Sequence, residues 1–275
     1  MSIATGDKPH PIPQRRPHIG PRLSHVNINV WRALTFLLFL IIWWGIAKLV
    51  GQNFVPTPWQ TLQAAIETIG DGTVPKAAWA SIQVYISGYV LAALFAIPFG
   101  LLMGGFRVFG STMEIYVDAL AATPRVSFIP LIIVFLGLGY EAKIVVVFLG
   151  AVMPILINTY AGVLNSDGEL IEMARSAGAS ESQIFRTIML PGALPYITAG
   201  LRVGASLALI NTVVAELYTA VQGLGGLLSI YGNTFRMAPY FVVVFCLSIM
   251  GVTVMQSLKV LERRMARWRY NSDRP

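Results

Sequence analysis

Six long apolar runs set the limits on what this chain can fold into. The first reads WRALTFLLFLIIWWGIAKLV, from about Trp31 to Val50. A run of about 20 apolar residues matches a bilayer core of about 30 Å. Five more follow, at about Ser81–Phe106, Ser111–Leu138, Lys143–Leu164, Tyr196–Val221 and Tyr240–Leu261. Composition agrees: 55% of the residues are hydrophobic and 12% charged, against roughly 25% charged in soluble domains. The expectation is an all-α integral membrane protein with six transmembrane helices.

Charge orients it. Residues 1–30 are polar and proline-rich, with Lys8, Arg15, Arg16 and Arg22. No small-residue cleavage site follows a short apolar core, so the stretch reads as a disordered cytoplasmic tail rather than a signal peptide. Residues 31–261 form the transmembrane domain. Residues 262–275 are a second basic tail, with Arg263, Arg264, Arg267, Arg269 and Arg274. Basic flanks stay in the cytoplasm, so both termini belong there and the number of spans is even. The net charge of +7 reflects these flanks and membrane lipid, not nucleic acid. Trp31, Trp43, Trp44 and Tyr240 suit interfacial anchor positions.

Local signals refine the spans. Gly100 and Gly104 have the G-x-x-x-G spacing that lets helices approach closely. Pro124 and Pro130 interrupt the third run and Pro154 the fourth, and each removes a helical hydrogen bond. Residues 51–80 are placed outside, with a short amphipathic helix at about Trp59–Ile69. Residues 222–239 form a glycine-rich outer loop.

The polar interval 165–191, NSDGELIEMARSAGASESQIFRTIMLP, carries two helix starts. Ser166 with Glu169, and Ser180 with Gln183, have capping-box spacing. Gly178 sits where a left-handed glycine closes a helix. The pattern predicts a helix over 167–177, a break, and a second helix over 181–190, with Pro191 and Pro195 marking the next span. An even span count puts this loop in the cytoplasm. Glu172 is expected to pair with Arg175 or with a partner's basic residue.

Motifs for chemistry are missing. There is no G-x-x-x-x-G-K-[ST] phosphate loop, no H-E-x-x-H and no nucleophile elbow. The three histidines, His10, His18 and His25, lie in the N-terminal tail, and Cys246 is the single cysteine. No enzyme activity, cofactor or metal is expected. Uphill transport would draw on a partner or on an ion gradient.

Glu172, Met173, Ala174, Gly178, Ile188, Leu190 and Pro191 match the EAA---G---I-LP loop of ABC-importer permeases, with Met173 for the usual Ala. The stretches DALAATPRVSFIPLIIVFLGLGYEAKI, PILINTYAGV, LPGALPYITAGLRVGASLALINTVVAEL and QGLGGLL resemble the nitrate/sulfonate/taurine-type permeases. One departure is Tyr140, where a Gly-Glu pair is often seen. The resemblance implies the type I importer fold with a cytoplasmic coupling helix. It implies a second permease copy, cytoplasmic ATPase subunits that bind the ATP, and a periplasmic or lipid-anchored solute-binding protein. It also implies the bacterial inner membrane and a small anionic solute such as nitrate, a sulfonate or taurine. Glu172, Ala174, Arg175, Gly178, Ala179, Ser180, Leu190 and Pro191 would couple to the ATPase. The rival reading is a stand-alone secondary transporter or channel.

Polar residues inside spans are costly in lipid and face a partner or a cavity. Arg125 either lines the pathway and favours anions or snorkels to lipid phosphate. Asn158, Asn211 and Thr212 either line the pore or bond across helices. Glu216 either faces a pore or gate or meets lipid in neutral form. Arg202 reads as a snorkelling anchor.

Overall fold

The computed structural model describes residues 28–51, 53–219 and 222–265. The histidines and Arg15, Arg16, Arg267, Arg269 and Arg274 lie outside them. Two compact units divide within the first helix after Trp43; the packing below is that of the second.

Every regular element among the described residues is helical. In order they are α1 (Ile28–Val50), α2 (Pro58–Gly70), α3 (Thr73–Gly105), α4 (Arg107–Ala122), a 3-10 turn (Arg125–Phe128), α5 (Ile129–Leu136) and α6 (Tyr140–Leu164). Then come α7 (Gly168–Ser176), α8 (Glu181–Ile184), a π turn (Phe185–Met189), α9 (Leu190–Thr219), α10 (Leu224–Asn233) and α11 (Met237–Met265). Five helices are long and apolar enough to cross a membrane. The total is six if α4 and the segment Arg125–Leu136, bent by 79°, form one broken span.

Several boundaries differ from the sequence expectation, each for a local reason. The second span starts at Thr73, not Ser81, so 73–80 are helix rather than outer connection. The third run is two helices. Thr123 precedes Pro124, which disfavours the helical region for it, and Thr123 is extended at φ −75, ψ 131. Pro130 causes no kink, because it lies in the first turn of α5, where its missing N–H has no intrahelical role. Pro191 does not break the chain either. Helix runs from Glu181 through the π turn into α9. The Leu190 N–H reaches back five residues to the Phe185 carbonyl, immediately before the proline that can offer no N–H.

Small residues build the core. Gly88, Ala92, Ala96, Gly100 and Gly104 recur every four residues on α3; the first four are buried and Gly104 is half-buried. A Cβ on Gly88 would meet Val147, on Gly100 Thr159, and on Gly104 Val163. That constant register is the one parallel helices require, and it joins α3 to α6. The other side of α6 takes α9 in the antiparallel sense: Gly150 lies against Asn211, Ile155 against Gly204, and Asn158 against Gly200. In lipid such close backbone approach supplies the packing attraction between helices. Gly104→Val is therefore expected to lower the thermal aggregation midpoint in detergent, because overpacking costs about 1–3 kcal/mol. Gly45→Ala, where a Cβ meets nothing within 4 Å, should leave it unchanged.

Candidate functional site

Three clusters of polar groups sit along this scaffold: one at the loop end of the bundle, one at the opposite end and one between them.

At the loop end, α7 starts on Asp167. Its Oδ1 accepts from the Glu169 and Leu170 N–H groups at 3.0 and 3.2 Å. The expected cap Ser166 does not serve, and its buried hydroxyl has no hydrogen-bond partner. The end of α7 is a Schellman motif. Gly178 is left-handed at φ 83, its N–H donates to the Arg175 carbonyl, and the Ala179 N–H donates to the Ala174 carbonyl. Helix α8 starts in the predicted capping box: Ser180 N donates to Gln183 Oε1 at 2.8 Å, and Gln183 N to Ser180 Oγ at 3.3 Å.

Arg175 takes Glu181 across the break, at 2.9 Å from Nε to Oε1 and 3.1 Å from Nη2 to Oε2. The expected pairing with Glu172 is replaced by this one. The two-bond clasp holds α7 at a set angle to α8, and the Glu181 hydrogen bonds push the Arg175 pKa further up. Glu172 is exposed beside it, as are Leu170 and Met173, while Ala174 and Ala179 are half-buried. Below the clasp, Ile184 is buried. Phe185 and Met189 pack with Val163, Ala193 and Ile197. Leu190 and Pro191 are half-buried where α9 begins. Beyond the break, helix runs without interruption from Glu181 into α9.

At the opposite end, Glu216 on α9 has no exposed surface. Ser81 on α3 donates its hydroxyl to the carboxylate, 2.8 Å from each oxygen. The Gly225 N–H donates to Oε2 at 2.8 Å, and Ser81 Oγ accepts from the Leu224 N–H at 2.8 Å. Both amides belong to the first turn of α10, where helices present unpaired donors and favour negative charge. Gly223 has φ 99, and a Cβ there would overlap the carboxylate. Lys143, also buried, donates to the Gln222 carbonyl at 3.1 Å. A cavity of about 260 Å3 is lined by Gln83, Tyr140, Lys143, Glu216 and Gln222 among others. A second, of about 350 Å3, is lined by Lys76, Gln222, Gly223 and Leu227 among others.

Between the ends, Pro154 leaves the Gly150 carbonyl without its helical donor. Arg125 supplies one: its Nη1 donates to Gly150 O at 3.2 Å. Asn211 packs against the same glycine and donates to its own Leu207 carbonyl at 2.8 Å. Asn158 does likewise to the Pro154 carbonyl at 2.7 Å, and buried Thr212 to Ala208 at 2.8 Å. These three close bonds within their own helices. The four candidates therefore fall into three places: Arg125 and Asn211 meet at Gly150, Asn158 lies against Gly200, and Glu216 lies apart with Ser81.

Sequence reasoning did not find Ser81, Lys143, Asp167 or Glu181 as partners. Ser81 and Glu216 are 135 residues apart, and only the glycines of QGLGGLL hinted that backbone approaches something closely there.

The family described as "Binding-protein-dependent transport system inner membrane component" matches residues 96–267. The chain belongs to this family. It is the permease subunit of a type I ABC importer and a multi-pass inner-membrane protein. A probable ABC transporter permease of Brucella melitensis is 32% identical over 250 residues, 91% of this permease and 100% of the relative. The taurine transport system permease of Escherichia coli is 28% identical over 275 residues, covering 98% of each chain. A putative aliphatic sulfonates transport permease of Escherichia coli is 37% identical over 157 residues, 57% of this permease and 59% of the relative. The fold is similar to that of a methionine ABC transporter solved in inward-facing conformations, with a TM-score of 0.56 at 22% identity over 70% of this permease and 95% of that chain.

Proposed function

We propose that this permease pairs with a second copy of itself to form the pathway for a small anion or zwitterion, driven by a separate cytoplasmic ATPase that docks on α7. A solute-binding protein delivers the solute at the end carrying α10, and both termini lie on the α7 side. The observation that carries the reading is the loop end. Helix α7 displays Leu170, Met173 and Glu172 on a clasped, capped mount joined to α9 by continuous helix. The chain has no phosphate loop of its own. Glu172, Ala174, Arg175, Gly178, Ala179 and Ser180 form the mount and its docking face, and Leu190 and Pro191 pass movement into the span.

The solute class draws on the taurine and sulfonate relatives and on Arg125. One guanidinium nitrogen holds the Gly150 carbonyl, and the arginine sits half-buried at the break of the third span, where it places a fixed positive charge. Arg125→Gln is expected to lower uptake while the complex still assembles. A double-mutant cycle separates its two roles. Pro154→Ala restores the helical donor to Gly150, so a merely structural arginine becomes dispensable in that background. Continued loss of uptake in the double variant, with solute-stimulated ATP hydrolysis as the second readout, supports the pathway role. Full recovery removes Arg125 from the pathway. Calorimetric titration of taurine, alkanesulfonates and nitrate into the cognate binding protein tests the solute class directly.

A further inference from the structure

Helix α2 shows its apolar side chains to the outside. Trp59, Leu62, Ile66 and Ile69 are 65%, 51%, 69% and 51% exposed. Thr61, Ala64 and Thr68 are buried instead, and Ala64 packs with Val74, Ala77, Tyr231 and Val243. The two buried threonines are satisfied within α2: Thr61 donates to the Thr57 carbonyl at 3.1 Å and Thr68 to the Ala64 carbonyl at 2.7 Å. At about 100° per residue, the exposed apolar stripe lies roughly 150° from the buried face, and Gln60, Gln63 and Glu67 fall between them. An ordinary surface helix turns its apolar stripe to the core. Here three faces coexist: one on the protein, one polar and one apolar and uncovered.

The helix cannot travel far to find a partner. It begins eight residues after α1 ends at Val50, and Gly70 is followed after two residues by α3, a membrane-spanning helix. Both ends are set firmly. Thr57 and Gln60 form a capping box at the start, and at the end the Thr73 N–H donates to Asp71 Oδ1 at 2.8 Å. Trp79, 62% exposed, lies in the second turn of α3, near the same end. A stripe of Trp, Leu and Ile beside a polar face, tethered at the end of a span, fits the membrane–water boundary. It carries no Lys or Arg, so anionic headgroups give it no attraction of the polybasic kind.

We infer that α2 lies in the plane of the bilayer surface, with Trp59, Leu62, Ile66 and Ile69 in the edge of the hydrocarbon of a neutral lipid leaflet and Gln63 and Glu67 in water. Through Ala64 and its neighbours it seats the α10 end of the permease at a set depth. Spin labelling tests this in the full-length chain reconstituted into phosphatidylcholine vesicles. With Cys246→Ala as background, Leu62→Cys, Gln63→Cys, Ile66→Cys and Glu67→Cys are labelled singly. Collision with oxygen and with a water-soluble nickel chelate is then measured. Oxygen should exceed nickel several-fold at 62 and 66, and nickel should exceed oxygen at 63 and 67. Nickel reaching 62 and 66 as readily as 63 and 67 would overturn the inference in favour of a water-facing stripe. Immobilised labels at 62 and 66 that neither reagent reaches would overturn it in favour of a protein covering. The pattern should persist in vesicles containing phosphatidylglycerol; deeper burial there would contradict the neutral-lipid assignment.

Discussion

Glu216→Ala is expected to reduce solute uptake about tenfold or more, a loss equivalent to about 1.4 kcal/mol, while the chain still inserts and still binds its ATPase. The carboxylate accepts from Ser81 and from the Gly225 amide, and Ser81 in turn accepts from the Leu224 amide. Removing it leaves buried donors unsatisfied, at about 1–3 kcal/mol for each group. The first turn of α10 then loses its tie to α9 and α3. Ser81→Ala should be milder, since the carboxylate keeps the Gly225 amide. Gly223→Ala should resemble Glu216→Ala, because φ is 99 and the added carbon enters the carboxylate's space. Uptake measures the consequence; the cause is read from Leu228→Cys on α10, which lies buried. In a Cys246→Ala background a membrane-impermeant thiol reagent should label Leu228→Cys faster once Glu216 is replaced. Unchanged labelling and wild-type uptake would mean that Glu216 does not hold α10.

Gly178→Val should insert normally yet lose ATPase copurification or solute-stimulated ATP hydrolysis. At φ 83 a Cβ on this residue meets nothing within 4 Å, so the penalty is conformational rather than a collision. A left-handed β-carbon costs about 1–2 kcal/mol, which Asn tolerates better than Val. To escape that strain the Schellman turn must open, and α7 then swings relative to Glu181 and α8. Gly178→Asn is accordingly expected to keep most of its stimulated activity. Glu172→Ala alters the proposed docking face instead, so it should weaken copurification without changing chain stability. Equal activity in Gly178→Val and wild type would reduce the loop to a connector.

The spans were legible because lipid requires long apolar runs whatever the tertiary packing. The Gly178 break and the Ser180 box were legible because both depend on adjacent residues. Asp167 displaced Ser166 as the cap because two capping residues stand side by side, and local spacing does not choose between them. The Arg175–Glu181 clasp was hidden because it crosses the break, where helical spacing no longer says which side chains meet. Pro154 announced a freed carbonyl at Gly150, but nothing near it in sequence named Arg125 as the donor. Gly100 and Gly104 gave a weak signal alone; its meaning came from Thr159 and Val163 at matching positions on α6. The Glu216 cluster, drawn from α3, α9 and α10, had no local signature beyond the glycines of QGLGGLL, which name neither Glu216 nor Ser81.

Energy source is the most direct test of the whole account. The permease, its cognate ATPase and its binding protein are reconstituted in vesicles, with a protonophore and sodium ionophore present and ATP supplied on the α7 side. Solute accumulation should need ATP, survive the ionophores and be lost in Gly178→Val. Accumulation by the permease alone, without ATP and driven by an imposed ion gradient, would contradict it.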